Sequence, residues 1–311
     1  LRVTAGIHAG GHEYISTAHE DQKFGVPLLP AGADAAALSV LDELTADPAG
    51  VTPAVTNAHI AERDGDAGDG NAKPERELHY DVKYPYDLSH EEIPEKDKAL
   101  AAAMETVADG PALAVLKDHP THGPTSWNSS AFTLHIGSNI HDADAFIQAA
   151  KRMMLLRKTF YATDAYTLPE VDLGGGYSVA YTDGEDSMDV RVELRRLAEA
   201  VGAINRALGV PAPAISFEPG RWIVAPAGVT LYRVGTIKPV HLSDAKDKTG
   251  NLIDERVYVS VDGGMSDNIR PALYGADYTV RLANRRGSDE SMLVRVVGMH
   301  CESGDIIVHE D

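Results

Sequence analysis

The chain has 311 residues, 43% of them hydrophobic and 24% charged, which suits a soluble globular protein with room for two cores. A formal net charge of −19 and an isoelectric point near 5.0 argue against binding to nucleic-acid backbones or to anionic membranes. A single cysteine, Cys301, excludes an internal disulfide and a cysteine-built zinc site, and the simplest compartment is the cytoplasm. No apolar run approaches the roughly 20 residues that span a bilayer, and "LRVTAGIHAGG" lacks the long apolar segment of a signal peptide.

In chain order, residues 1–46 read as a strand, a loop and a helix, with Leu38, Leu41 and Leu44 forming one apolar stripe. Composition then shifts. Residues 47–130 carry eight of the seventeen prolines and sixteen acidic against seven basic residues, about half the net charge of the chain. They are expected to form an acidic, Pro-rich and flexible insertion on the surface of a folded domain, with "EKDKALAAAMETVA" as its one helical piece. Its histidines (His59, His79, His90, His119, His122) have no metal-ligand spacing.

Beyond it the pattern becomes regular. "SAFTLHIGS" is a strand. "ADAFIQAAKRMMLLRKTF" is an amphipathic helix with Phe146, Ala150, Met153 and Phe160 on one side and Asp142 as N-cap. "EVDLGGG" is a second strand. "RVELRRLAEAVGAINRALG" is a second helix, stopped by Gly209 and Pro211, and "AISFEPGR" is a third strand. The spacings of 39 residues from His135 to Gly174 and 44 from Gly174 to Glu218 suit parallel strands joined by crossover helices. From about residue 226 short alternating runs ("VTLYRVGTIKPVHL", "RVYVSVDGG", "DYTVRLANR", "MLVRVVGMHC", "DIIVHE") follow without crossover helices, which predicts an antiparallel β domain.

Each parallel strand ends in polar or glycine residues. "DLGGGYS" offers successive backbone N–H groups suited to a phosphate, although a tight turn needing positive φ explains the run equally well. Glu218 and Arg221 flank a Pro219–Gly220 turn that aims both side chains one way. A guanidinium there clamps phosphate or carboxylate, and a surface ion pair is the plainer alternative. His135 and Ser138 stand at another strand end, where His135 also fits as a core histidine. Taken together, the three ends supply a flat ring, phosphate donors and a carboxylate. Those are the needs of pyridoxal 5'-phosphate: its phosphate takes Gly, Ser and Arg, and its ring nitrogen takes an acid.

"HEYISTAHEDQKFG", "LHIGSNI", "VDLGGGYSVAY", "EPGRWIVAPAG", "VSVDGGMSDNIRPALYGA" and "HCESGDIIV" occur in an order that resembles the diaminopimelate decarboxylase family, most closely its actinobacterial members. The resemblance covers most of 1–46 and 131–311 and leaves out 47–130. It implies an α/β fold: the C-terminal part of a (β/α)8 TIM barrel (1–46 and 131–225) followed by an antiparallel β-barrel-like domain (226–311). It implies pyridoxal 5'-phosphate as cofactor, with His135 stacked on its ring. Ser138, Gly174, Gly175, Gly176, Pro219, Gly220 and Arg221 would lie at the phosphate and Glu218 at the ring nitrogen. Arg221, Arg270 and Tyr274 would hold a small amino-acid substrate, Glu302 its distal amine, and Cys301 would return the proton. In the family Cys301 and Glu302 act across a homodimer.

The activity implied is conversion of meso-2,6-diaminopimelate to L-lysine and CO2. A diacid substrate needs a cation for its far carboxylate, and Arg270 supplies one; a structural ion pair is the other use for it. An ornithine- or arginine-type decarboxylase would carry Asp after the cysteine and lack this arginine. Three departures stand out. The family's lysine block (Tyr-Ala-Ser-Lys-like) is absent, which marks the chain as a fragment or a catalytically dead regulatory homologue, and Lys23 lies in a different block. Thr133 replaces a family histidine, and Ser178 stands where glycine is common.

Overall fold

The computed structural model describes residues 1–7, 23–46, 55–62, 76–82, 95–118, 131–164, 167–247, 249–287 and 292–309. The chain divides into two compact units, Leu1–Ser178 with Met188–Trp222, and Val179–Ser187 with Ile223–Asp311.

In the first unit, β5 (Ala131–Thr133), β6 (Glu170–Gly175) and β7 (Ala214–Glu218) form a parallel sheet in that order. β1 (Val3–Thr4) runs parallel to β2 (Val26–Pro27), and Arg2 bridges to Thr133. Four parallel strands, β1, β5, β6 and β7, therefore follow one another. α4 (Asp144–Asp164) crosses from β5 to β6 and α5 (Val190–Leu208) from β6 to β7. The two crossovers are those the strand spacing predicts, because parallel neighbours need a connection long enough to return to the same end of the sheet.

Register explains which face holds chemistry. Phe132, Val171 and Ile215 align across the sheet, as do Thr133, Asp172 and Ser216. Successive side chains point to opposite faces. Phe132, Leu134, Val171 and Leu173 are buried on the helix side. Thr133, His135, Glu170, Asp172, Ser216 and Glu218 share the other, polar side, where the Ser216 hydroxyl donates to Glu170.

The helices stand on local signals. Asp189 caps α5 by accepting from the N–H groups of Arg191 and Val192, worth about 1 kcal/mol. Gly209 closes it at φ 62°, with its N–H on Arg206 and that of Val210 on Asn205. At α4 the Asp142 carboxylate accepts from Asp144 N–H at 2.9 Å, but the first intrahelical bond runs from Ile147 N–H to the Ala143 carbonyl, so Ala143 holds the N-cap position and Asp142 lies one residue ahead of the place its sequence predicts. The single apolar stripe expected of α4 is exceeded, since Met153, Met154, Leu155, Leu156, Arg157 and Lys158 are all buried. Arg157 is buried because backbone carbonyls satisfy it: its Nε donates to Leu168 and its Nη1 to Pro211, both at 2.5 Å.

The segment expected as a surface insertion contributes to this core. Within it β3 (Val55–Glu62) and β4 (Arg76–Val82) pair antiparallel. α2 (Glu95–Ala108) packs on α4, and α3 (Pro111–Asp118) follows after Gly110. Leu100, Ala103, Met104, Val107, Ala112, Leu113 and Leu116 are buried among α4 and α1 (Val40–Ala46). Burying side chains of this size contributes about 1.5–3 kcal/mol for each large one. One face of Leu100–Leu116 is thus core rather than surface, despite the acidic composition around it. The flexibility expected of 47–54, 63–75, 83–94 and 119–130 lies outside the described residues. No single helix among the described residues is long and apolar enough to cross a membrane.

The second unit is built on a four-stranded sheet in the order β11 (Ile306–Val308), β10 (Val294–Val297), β9 (Leu252–Val261), β8 (Val234–Lys246). Two ladders are antiparallel as expected, but β9 and β10 are parallel, so the sheet is mixed. The reason is the connection from Asp262 to Leu293, which is long enough for a crossover and holds the short helix α7 (Arg270–Tyr274). "DYTVRLANR" joins no ladder. It lies along Val179–Ser187 through Thr279 N–H to the Tyr181 carbonyl (3.2 Å) and Arg281 to Asp183 (2.9 Å). Val261, Val296, Ile307 and Val308 form a small core with Tyr232 and Tyr278 beside it.

Candidate active site

At the C-terminal ends of β5, β6 and β7, backbone meets backbone. A Cβ at Gly174 (φ +73°) would collide with the Leu134 carbonyl, one at Gly175 with that of Glu218, and one at Gly176 (φ +101°) with that of Gly137. Each glycine is required by close approach to a neighbouring strand end. The turn explanation and the cradle explanation of this run are therefore compatible: glycine brings the three ends together and leaves their surface bare. The Gly174 N–H is taken by the Asp172 carboxylate at 2.8 Å.

Arg221 reaches across from the first turn of α6 (Gly220–Val224). Its Nη2 donates to Ser138 Oγ at 2.5 Å and its Nη1 to Asn139 Oδ1 at 3.3 Å. The predicted Ser138 and Arg221 are thus brought together. Asn139 escaped the sequence reading. Its φ of 61° is one that Asn tolerates better than most residues, and this places its amide beside the guanidinium. Ser178 is fully buried, and its Oγ accepts the Met188 N–H at 2.8 Å. The hydroxyl that departs from glycine here ties β6's end to the start of α5.

The acids and the histidine form a coupled set. Burial pushes the Glu218 carboxyl above its ordinary range, and the charge and hydrogen bond of Asp172 push it further; Arg2 opposes them. His135 is half-buried, and burial followed by the Arg2 charge holds its imidazole below the usual histidine range, with Asp172 pulling the other way. The imidazole is accordingly neutral near pH 7. Arg2 and Asp172 were not predicted as site residues. Their signal was available in the strand alternation, which puts them on the same face as Thr133 and His135.

In the second unit Arg270 and Tyr274 do come together. The Arg270 guanidinium lies 5.0 Å from the Tyr181 ring and 5.8 Å from the Tyr274 ring, and donates to the Tyr181 hydroxyl at 3.0 Å. Its partners are aromatic, which keeps its charge available for a carboxylate. Cys301 and Glu302 are exposed on the turn between β10 and β11.

Residues 131–225 match the family described as pyridoxal-dependent decarboxylase, pyridoxal binding domain. The matched stretch holds the parallel strands and the Ser138–Arg221 contact. The curated relatives that the chain resembles are diaminopimelate decarboxylases. That of Corynebacterium efficiens is 48% identical over 176 residues, covering 57% of this chain and 37% of the relative. That of Mycobacterium tuberculosis is 34% identical over 314 residues, covering 100% of this chain and 50% of the relative. The chain spans about half the length, or less, of the curated relatives it matches. The mycobacterial match runs through 47–130, which the resemblance read from the blocks had left out. Among solved structures, a diaminopimelate decarboxylase from Helicobacter pylori complexed with L-lysine superposes with a TM-score of 0.53 at 22% identity, over 100% of this chain and 51% of that one. It supports the α/β fold of this family.

Proposed function

We propose that the protein decarboxylates meso-2,6-diaminopimelate to L-lysine and CO2 with pyridoxal 5'-phosphate, working in the cytoplasm as a homodimer. We further propose that β1, β5, β6 and β7 are four strands of a (β/α)8 barrel and that the mixed sheet is part of a β-barrel-like domain. The observation that carries the reading is the Arg221–Ser138 contact over three glycine-lined strand ends, in a chain whose relatives are diaminopimelate decarboxylases.

The donor set fits the cofactor. Arg221, Ser138 and the bare backbone at Gly175 and Gly176 would hold its phosphate, with Pro219 and Gly220 shaping the turn. Neutral His135 would lie on the ring, and Glu218 would face the ring nitrogen. Bound there, pyridoxal phosphate supplies an electron-withdrawing ring that takes up the charge left by CO2. Arg270 and Tyr274 bind the far carboxylate and Glu302 the far amine. After the carbon–carboxylate bond breaks, Cys301 Sγ–H passes its proton to the α-carbon, and solvent reprotonates the thiolate. Cys301 and Glu302 serve the strand ends of the neighbouring copy.

The test is turnover of purified full-length protein on meso-diaminopimelate, ornithine and arginine. Lysine release from diaminopimelate alone is expected; preference for ornithine or arginine would replace this reading with the related decarboxylase. The 311-residue chain by itself lacks the family's lysine block. Borohydride added with pyridoxal phosphate is expected to leave no lysine adduct at a defined position in it.

A further inference from the structure

Asp305 is 3% exposed, the most buried acid among the described residues, and it sits four residues after Cys301. Its side chain is spent on backbone. Oδ1 accepts the Met265 N–H at 2.6 Å and Oδ2 the His300 N–H at 2.8 Å. Its own backbone closes the turn, with Gly298 N–H donating to the Asp305 carbonyl (2.8 Å) and Asp305 N–H to the Glu302 carbonyl (3.1 Å). Met299 N–H donates to Gly263 at 2.9 Å, and the His300 ring meets Ser266 Oγ at 2.8 Å. Two loops are zipped along this line. One is the turn bearing Cys301 and Glu302. The other is the Asp262–Asn268 loop, which runs directly into α7 with Arg270 and Tyr274.

The surrounding residues are cut to the carboxylate. A Cβ at Gly264 would lie 2.6 Å from Asp305 Oδ2, and one at Gly298 would overlap the carboxyl group outright. Such clearance is needed only if the acid must sit between the two loops. A carboxylate accepting two backbone N–H groups also cannot be replaced by its amide without turning one acceptor into a donor that faces a donor.

We propose that Asp305 is the positioning residue of the Cys301 turn, clipping it to the Asp262–Asn268 loop so that the exposed thiol is held in one fixed geometry. The proposal rests on the reading of Cys301 as proton donor and acts through that residue.

The test is a double-mutant cycle in the full-length holoenzyme with Asp305→Asn and Cys301→Ala, alongside amide hydrogen exchange. Asp305→Asn is expected to lower kcat about tenfold or more, the scale of a lost charge-assisted hydrogen bond, with bound-cofactor absorbance unchanged. In the Cys301→Ala background it should lower kcat no further. An equal fall in both backgrounds would mean a merely structural role and overturn the proposal. Exchange at Met265 and His300 should quicken severalfold while the β9–β10 ladder keeps its protection. Unchanged exchange at those two amides overturns the clip independently of any activity. If instead Cys301→Ala leaves kcat intact, the donor reading fails by itself and the positioning role falls with it, even where the exchange result shows that the clip exists.

Discussion

The strand ends of the first unit and the Cys301 turn of the second are both glycine-rich, and the glycines answer to different partners. At Gly174, Gly175 and Gly176 the obstacle to a side chain is the backbone of a neighbouring strand, reached across crossovers of about forty residues. At Gly264 and Gly298 the obstacle is one carboxylate, Asp305. The first arrangement is as strong as the sheet that imposes it. The second is as strong as two hydrogen bonds from backbone N–H groups. A site built the first way holds a bound group in fixed geometry; one built the second way presents an exposed thiol that can be tuned by a single residue.

The sharpest way to separate the two regions is to damage each and ask which function goes. Cys301→Ala is expected to lower kcat by about 10²–10⁴-fold, the usual worth of a positioned proton donor, while the cofactor absorbance and its affinity stay as they were. Equal turnover would remove Cys301 from the chemistry. Gly176→Ala should do the reverse. The new Cβ meets the Gly137 carbonyl at a φ of +101°. Overpacking and backbone strain together should cost about 3 kcal/mol in denaturant unfolding and take cofactor binding with them. A variant with unchanged unfolding midpoint would show that the strand ends are looser than the register implies.

How much of this was legible beforehand follows the same division. The parallel strands and their helices could be read because period and caps are local: Asp189, Gly209 and the alternation of Phe132, Leu134, Val171 and Leu173 all act within a few residues. The place of Arg221 beside Ser138 was readable from the strand-end motifs, whereas that of Asn139 was hidden because it depends on a single positive φ. The burial of α2 and α3 was masked by acidic neighbours that say nothing about which face of a helix finds a partner. Parallel pairing of β9 and β10 was missed because the helix in the Asp262–Leu293 connection, five residues long, is too short to stand out as a crossover. Asp305 carries no local sequence signal, since what it binds is backbone from a loop forty residues away.

Arg221→Lys probes the clamp more gently. Lysine keeps the charge but loses the fork that spans Ser138 and Asn139. Affinity for pyridoxal phosphate should fall about tenfold, equivalent to about 1.4 kcal/mol, with little change in kcat at saturating cofactor. An equal affinity would mean that the positive charge alone suffices and that the geometry at Ser138 is incidental.

The smallest effect expected is a slope of stability with pH in the first unit. His135 is held below the ordinary histidine range by burial and by Arg2. The unfolded chain therefore binds a proton near its ordinary pKa of about 6.5, while the folded chain binds it only at lower pH. Between those two points the unfolded state carries more protons, so stability rises with pH there and is lost as pH falls from about 6.5 toward the folded value. Glu218 works in the opposite sense in the acid range. Its raised pKa means the folded state holds its proton longer, so the stability tied to that proton is lost as pH rises through the folded value. Replacing His135 with Gln should flatten the histidine part of the slope, measured as unfolding free energy from pH 5 to 7.5, and leave the acid part in place. If the slope near pH 6 survives that change, another titrating group owns it, and the polar face shared by Arg2, His135, Asp172 and Glu218 is less tightly coupled than its register suggests.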